Sequence, residues 1–493
     1  MLGGLLVGLV TGMGSAGTPA AADRPAEITI DAARVRSRVN PRNLGINLDY
    51  LVDDDANRQP GSRPLLEALK ELGVRVLRYP GGDKSDSYLW SAPPWEHSVP
   101  ALSVAGDWDW PAMDRELMMP DRKTWKTRPL DFDAFMRIAR ETGAEASVVV
   151  AVDSGFHVPG AHSEAAPMDL LVRTAAEWVR YAKAKGFPVR CWEIGNESFF
   201  ETGATRYAEA VVAFAKAMKA ADPDARIGAV GVYGEQVGRE DAKAGTRTAW
   251  NRAVLQAAGP YLDYLIVHDY PLWGWKSYGG YLDRDPDFTA GIRRTREVIA
   301  KWAAAGDRDR IRVALTEYGA IDYEKGSWAN VTDLGHALVL ADMIGRYLAE
   351  PDLDFATMWN TRWAKREGDA IAVHDALAPD NALTPTGMAL AIWARCLGEE
   401  MLDVAGGRQL KVFATHTPST GALRVIFINK GLTSHRLGVV LKGAAKGTGE
   451  RRELSGTGPD DPRPVWRKAG QVALRDGRAD LDLPPVSLTA LEF

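Results

Sequence analysis

Cysteine is nearly missing: Cys191 and Cys396 are the only two in 493 residues. Two thiols are too few for a disulfide scaffold or a thiolate zinc site. They read as buried free thiols, with one bridge between distant segments as the alternative. A basic excess is missing as well, since 60 Lys and Arg stand against 65 Asp and Glu for a net charge of −5. Bulk charge therefore excludes a basic nucleic-acid binder. Eight histidines include no H-x-x-x-H pair, and the acidic run at 53–55 lacks the alternate spacing of a calcium loop. The run reads as a solvated turn, and no metal or cofactor is expected. No phosphate-binding glycine loop and no G-x-S-x-G elbow occur. Beyond the first 22 residues no uninterrupted apolar run reaches the roughly 18 needed to span a bilayer.

The start of the chain is different. No charged side chain precedes Asp23, and an apolar stretch at 5–10 leads to a tail of small residues ending Ala20, Ala21, Ala22. This is the pattern of a secretory signal without its basic flank, and it predicts a secreted protein with a signal peptide at 1–22. An uncleaved membrane tether is the rival, weakened by the many glycines.

From residue 43 the sequence alternates β-type runs with amphipathic ones. Strands are predicted at 44–49, 74–79, 146–152, 189–195, 226–232, 264–268, 311–317 and 355–360. Helices are predicted at 64–72, 132–142, 168–185, 207–221, 250–258, 288–305, 332–350 and 385–397. Buried parallel strands read as near-continuous apolar runs, and SVVVAV and YLIV do. Eight β-α units without a linker predict an α/β fold, a (β/α)8 TIM barrel over 43–398. An open doubly wound sheet would gather its chemistry at one switch point, whereas the charged residues here fall at many strand ends. Short alternating segments over 399–493 predict an antiparallel β-sandwich. The similar stretch at 26–42 is expected to complete it.

Two carboxylates stand at strand ends. CWEIGNES places Asn196 and Glu197 after strand 4, and VALTEYGA places Glu317 at the end of strand 7. In a barrel both face the C-terminal mouth, where catalytic groups of this fold lie. Such a pair suits glycoside hydrolysis, which in retaining enzymes needs carboxyls about 5–5.5 Å apart. A single such Glu would more often cap a helix or sit in an ion pair.

WEIGNE followed by TEYG resembles the retaining glycoside hydrolases of clan A. LRYPGGDKSDSYLW (residues 77–90), LTPTGMALAIWARCLGEEMLDV and the final LPPVSLTALEF resemble the family fifty-one type α-L-arabinofuranosidases. The resemblance implies Glu197 as acid/base, Glu317 as nucleophile, and Asn196 as donor to the sugar 2-hydroxyl. It places Arg78 beside Glu317, Tyr270 as a donor to Glu317, and His268 in the sugar site. Asp49, Asp83, Trp90, Asp153, Trp359 and Asn360 complete the substrate-binding set it implies. Asp49, Asp83, Asp153 and the MWNTRW segment depart from the family's usual residues, which leaves the sugar open. An arabinose-containing polysaccharide is the expected substrate. An endo-acting, xylosidase-like or glucuronidase-like relative of the clan, or a barrel that only binds carbohydrate, are the alternatives. A homo-oligomer built through barrel and sandwich is compatible with the resemblance.

Tryptophan is in excess: 16 Trp against 14 Tyr and 12 Phe. Ten fall after strands 2, 6, 7 and 8: Trp90, Trp95, Trp108, Trp110, Trp125, Trp273, Trp275, Trp328, Trp359 and Trp363. Indoles stack on sugar faces, so these are expected to form a sugar platform, the alternative being that those in the strand 2 loop simply pack it down.

Overall fold

The computed structural model describes residues 26–103, 125–156, 165–246, 248–321, 328, 332–363, 375–443 and 447–493. The leader segment at 1–22, Trp108 and Trp110 lie outside them. Eight parallel strands close into a barrel in chain order: Gly45–Asn47, Val76–Tyr79, Glu145–Val150, Val189–Ile194, Ile227–Val230, Tyr264–Asp269, Arg312–Tyr318 and Leu353–Met358, here barrel strands 1 to 8. The helices that follow them include Leu65–Leu72, Phe132–Thr142, Met168–Lys185, Ala204–Ala221, Trp250–Ala258, Ala290–Trp302, Leu334–Leu348 and Pro385–Arg395. The chain is a (β/α)8 barrel with a β-sandwich, as its alternation predicts.

Local chemistry sets the boundaries. The Asp131 side chain accepts from the Ala134 amide to start Phe132–Thr142, and Gly143 ends it at φ 71°, where a side chain would be strained. Strand 8 begins two residues earlier than its apolar run suggests. The cause is Asp354, a charged residue inside a strand, which is held by Arg190 and Arg42.

Inside the barrel, Val76, Cys191, Tyr264, Ile266, Ala314 and Phe355 form an apolar plug. Next to it lies a layer of a different kind: Asn47, Arg78, Ser147, Glu193, Thr316 and Thr357 are all buried yet polar. Buried polar groups must find partners, and these find one another, which fixes the floor of the site.

The sandwich has a seven-stranded and a three-stranded sheet. The N-terminal stretch joins both: Val35–Arg38 pairs antiparallel with Glu400–Leu402, and Ala26–Asp31 pairs with His435–Lys442. The second pairing is parallel. Parallel neighbours need a long crossover, and the whole barrel serves as one. Both cysteines are free and buried. Among the described residues no helix is long and apolar enough to cross a membrane.

Candidate active site

The site is organised by one guanidinium. Arg78, fully buried on barrel strand 2, donates from Nε to Glu193 Oε2 at 2.9 Å and from Nη1 to Asn47 Oδ1 at 3.0 Å and Glu317 Oε1 at 2.9 Å. Its Nη2 donates to Asn196 Oδ1 at 2.9 Å. One planar fork thus ties strands 1, 2, 4 and 7 together, which the point charge of a lysine could not do. Burial disfavours the charge on Arg78, but Glu193 and Glu317 outweigh it and hold the guanidinium above its usual range.

Strand 4 ends abruptly. Gly195 has φ 80°, and a Cβ there would lie 2.4 Å from Ser198 Oγ and 2.8 Å from Asp153 Oδ2. Glu197 follows at φ 50°, a left-handed conformation that costs a non-glycine residue energy and is held only where surroundings enforce it. The turn aims Glu197 across the mouth. His268 Nδ1 lies 2.8 Å from Glu197 Oε1 and 3.6 Å from Glu317 Oε2, and Nε2 lies 3.2 Å from Thr316 Oγ1. Tyr270 donates to Glu317 Oε2 at 2.6 Å. Oxygens of Glu197 and Glu317 and a nitrogen of His268 lie within 4.8 Å of one another, the sole trio among the described residues with the spacing of a metal site. Burial lowers the His268 pKa, but the charge of Glu317 and the hydrogen bond and charge of Glu197 raise it more, so the net shift is upward.

The other side of the mouth carries acids. Asp83 Oδ1 accepts from Asn196 Nδ2 at 2.9 Å, and Asp153 Oδ2 accepts from the Asn196 amide at 3.1 Å. Enclosure by protein, then the charges of Glu197 and Glu317, push Asp83 up to about 7. Asp83 stands at the solvent-facing side of this cluster. Asp153 is pushed up to about 6 by burial.

Asp49 is buried beneath Lys84, which donates to its Oδ2 and also lies 3.9 Å from the Trp363 ring centre. Burial raises the Asp49 carboxyl, with Lys84 opposing. Trp359 is buried with its ring against Gly82, where an added Cβ would come within 2.2 Å. Asn360 is fully buried, and neither amide atom has a hydrogen-bond partner.

Trp90 is a correction. It is buried, gives its Nε1 proton to the Thr174 carbonyl at 3.1 Å, and packs on Trp178 and Tyr181 in the helix layer, so it cannot meet a substrate. The wider platform shrinks in the same way. Trp275, Trp328 and Trp359 are buried, Trp95, Trp125 and Trp363 half-buried, and Trp273 alone of the described eight is exposed, at 62%. Most of the surplus indole packs long loops onto the barrel.

Sequence reasoning missed Glu193, Asn47, Lys84 and Thr316. Glu193 carried a signal: a charged residue between Trp192 and Ile194, inside a strand, must be paired. Lys84 had none, because its partner Asp49 lies 35 positions away.

Residues 68–264 match the family model described as "Alpha-L-arabinofuranosidase 1 domain". A curated relative from Streptomyces lividans, named an intracellular exo-α-(1→5)-L-arabinofuranosidase, is 27% identical over 50% of this chain and 37% of its own length. One of the same name from Bifidobacterium longum is 26% identical over 65% of this chain and 55% of its own. The chain thus spans about half or less of the length of these relatives. Among solved structures, the α-L-arabinofuranosidase of Thermotoga maritima aligns with a TM-score of 0.70 at 18% identity, over 95% of this chain and 99% of that one. A family 44 xyloglucanase from Paenibacillus polymyxa aligns at 0.65 and 15%, over 95% and 99%. The chain has the fold of these enzymes and resembles the family fifty-one arabinofuranosidases of clan A. All four curated relatives are named as intracellular, which overturns the expectation of secretion.

Proposed function

We propose that this chain is a retaining glycoside hydrolase that removes α-L-arabinofuranosyl units by double displacement. The observation that carries the reading is the placement of Glu197 and Glu317, whose nearest oxygens lie within 4.8 Å, in keeping with the close carboxyl pair of retaining enzymes. Glu317 attacks the anomeric carbon while Glu197 protonates the departing oxygen. Glu197 then takes a proton from the water that hydrolyses the glycosyl ester. Arg78 and Tyr270 hold the two oxygens of Glu317 in place and compensate its charge before attack. The relatives' names supply the sugar and the intracellular setting, so short arabino-oligosaccharides are the substrates that fit, ahead of intact polysaccharide.

The test is a panel of 4-nitrophenyl glycosides, with α-1,5-arabino-oligosaccharides read by product length. Release of arabinose with initial retention of configuration supports the reading. Turnover confined to xylosides, glucosides or glucuronides, or a product of inverted configuration, overturns it.

A further inference from the structure

Two acids stand beneath the turn that carries Glu197. Asp86 closes the short helical turn Gly82–Asp86 after barrel strand 2, and Asp153 opens the turn Asp153–Gly155 after the neighbouring strand 3. The two carboxyls lie within hydrogen-bond reach of each other. Asp153 is 6% exposed and sits directly under the Gly195–Asn196 peptide: its Oδ2 accepts from the Asn196 amide at 3.1 Å and would lie 2.8 Å from a Cβ on Gly195. The next residue is Glu197, in its left-handed conformation. The cluster is short of a donor. Asp86 Oδ1 and Asp153 Oδ1 are both buried, and neither accepts from an N–H or O–H among the described residues. Buried polar atoms are rarely left so, and two ionised carboxylates at this range repel. The other charges that weigh on Asp86, those of Asp83 on its own turn and Glu201 beyond Glu197, have the same sign. Lys84, on the same turn, is paired with Asp49, and Arg206 lies against the Gly155 carbonyl and the Phe156 ring.

We propose that Asp86 and Asp153 hold a single proton between them, and that this acid pair is the positioning device that fixes the turn presenting Glu197 to the leaving group. The proposal rests on the assignment of Glu197 as acid/base made above. With Asp86 as the acid and Asp153 as the carboxylate, one O–H supplies the missing donor, and Asp153 keeps its charge for the Asn196 amide. A charge-assisted bond of this kind is stronger than a neutral one. Burial and then the charge of Asp153 raise the Asp86 carboxyl, whereas the bond from Asp86 works against burial at Asp153, so the proton belongs to Asp86. In this role neither acid touches the sugar; both act through the backbone of the turn. The left-handed Glu197 is held only while its surroundings enforce it, and a shift of about 1 Å in a reacting group can cost about 10²-fold in rate. Taking the proton away sets two charges against each other under Gly195 and loosens the turn.

The experiment compares the wild type with Asp86→Ala and Asp86→Asn, by kinetics on α-1,5-arabinobiose and 2,4-dinitrophenyl α-L-arabinofuranoside and by thermal unfolding from about pH 5 to 9. The asparagine amide donates to Asp153 as the protonated acid does, but it cannot titrate. Asp86→Ala should lower kcat on arabinobiose by about 10–100-fold with little change in KM, and lose much less on the dinitrophenyl substrate, whose departure needs no proton. Asp86→Asn should bring kcat back to within a fewfold of the wild type. Unfolding reads the proton without any need for turnover. A carboxyl whose pKa is raised on folding binds its proton more tightly in the folded state, so the stability of the wild type falls as pH rises through that range. Asp86→Asn should therefore gain in melting temperature over the wild type as pH rises, and it carries the test if Asp86→Ala does not fold. A gap that stays constant with pH, or an Asp86→Asn as impaired as Asp86→Ala, would overturn the proposal while the arabinofuranosidase reading stands. A wild type inactive on both arabinofuranosides would sink that reading and the positioning role with it, whatever the melting series shows.

Discussion

Arg78 and Glu193 form an ion pair in which both side chains are completely buried, at 2.9 Å. The pair sits beneath the two proposed catalytic carboxylates, and the same guanidinium reaches Glu317. Ser147 donates to the other Glu193 oxygen at 2.8 Å. Removing one partner strands the other charge away from water, a loss of about 3–5 kcal/mol in buried pairs. Arg78→Met should therefore lower the denaturation midpoint markedly as well as abolish turnover. Glu193→Gln, which keeps the shape, should cost less in both. A chemical denaturation series separates the outcomes, and an Arg78→Met variant of wild-type stability would show that the pair bears no structural load.

The two glutamates should fail differently. Glu317→Ala should lose about 10⁴-fold or more in kcat, with azide restoring turnover as a glycosyl azide of inverted configuration. Glu197→Ala should lose about 10²–10⁴-fold on substrates with poor leaving groups and far less with 2,4-dinitrophenol, which needs no proton. Kinetics on both leaving groups, with product configuration by NMR, checks this.

The His268 pKa is raised in the folded protein above its ordinary 6.5, burial opposing and Glu317 and Glu197 prevailing. A raised histidine contributes stability that is fully present below the unfolded value and is lost as pH rises through the folded one. The difference in apparent melting temperature between the wild type and His268→Gln should therefore be largest at about pH 5–6 and shrink toward pH 9. A difference that grows with pH would contradict the assignment.

Gly82 cannot take a side chain. Its φ is 41°, and an added Cβ would fall 2.2 Å from the Trp359 ring. Gly82→Ala should destabilise by about 1–3 kcal/mol and, by displacing Trp359, reduce kcat/KM. Thermal unfolding and initial rates test both halves.

Neither thiol should react in the native state, since burial pushes Cys396 up to about 12 and holds Cys191 well above the usual thiol range. A thiol reagent should modify none of the folded protein and both residues in denaturant.

Much of this was legible in the residues. Helices Phe132–Thr142, Met168–Lys185 and Trp250–Ala258 begin and end where their periodicity and flanking residues place them. Strand 8 did not, because a charge satisfied by a distant arginine looks, in sequence, like a strand's end. The positions of Glu197, Glu317 and Tyr270 followed from motifs on single strands. The locking of Asp49 by Lys84 and the covering of Asn196 by Asp83 depend on side chains from different strands, and no local pattern encodes them. The tryptophans misled for a related reason: an indole in a long loop has the same sequence signature whether it faces a sugar or the protein's own wall.

The parallel pairing of Ala26–Asp31 with His435–Lys442 has a consequence for biosynthesis. A strand made among the first residues described here waits for a partner about four hundred residues later, so this contact carries one of the longest loop-closure separations in the molecule. The barrel strands and helices emerge in between, each able to pair with its predecessor as it leaves the ribosome. The sandwich therefore closes last, as a clasp that joins both ends of the chain, and a cut in a barrel loop would leave the two fragments held together by it.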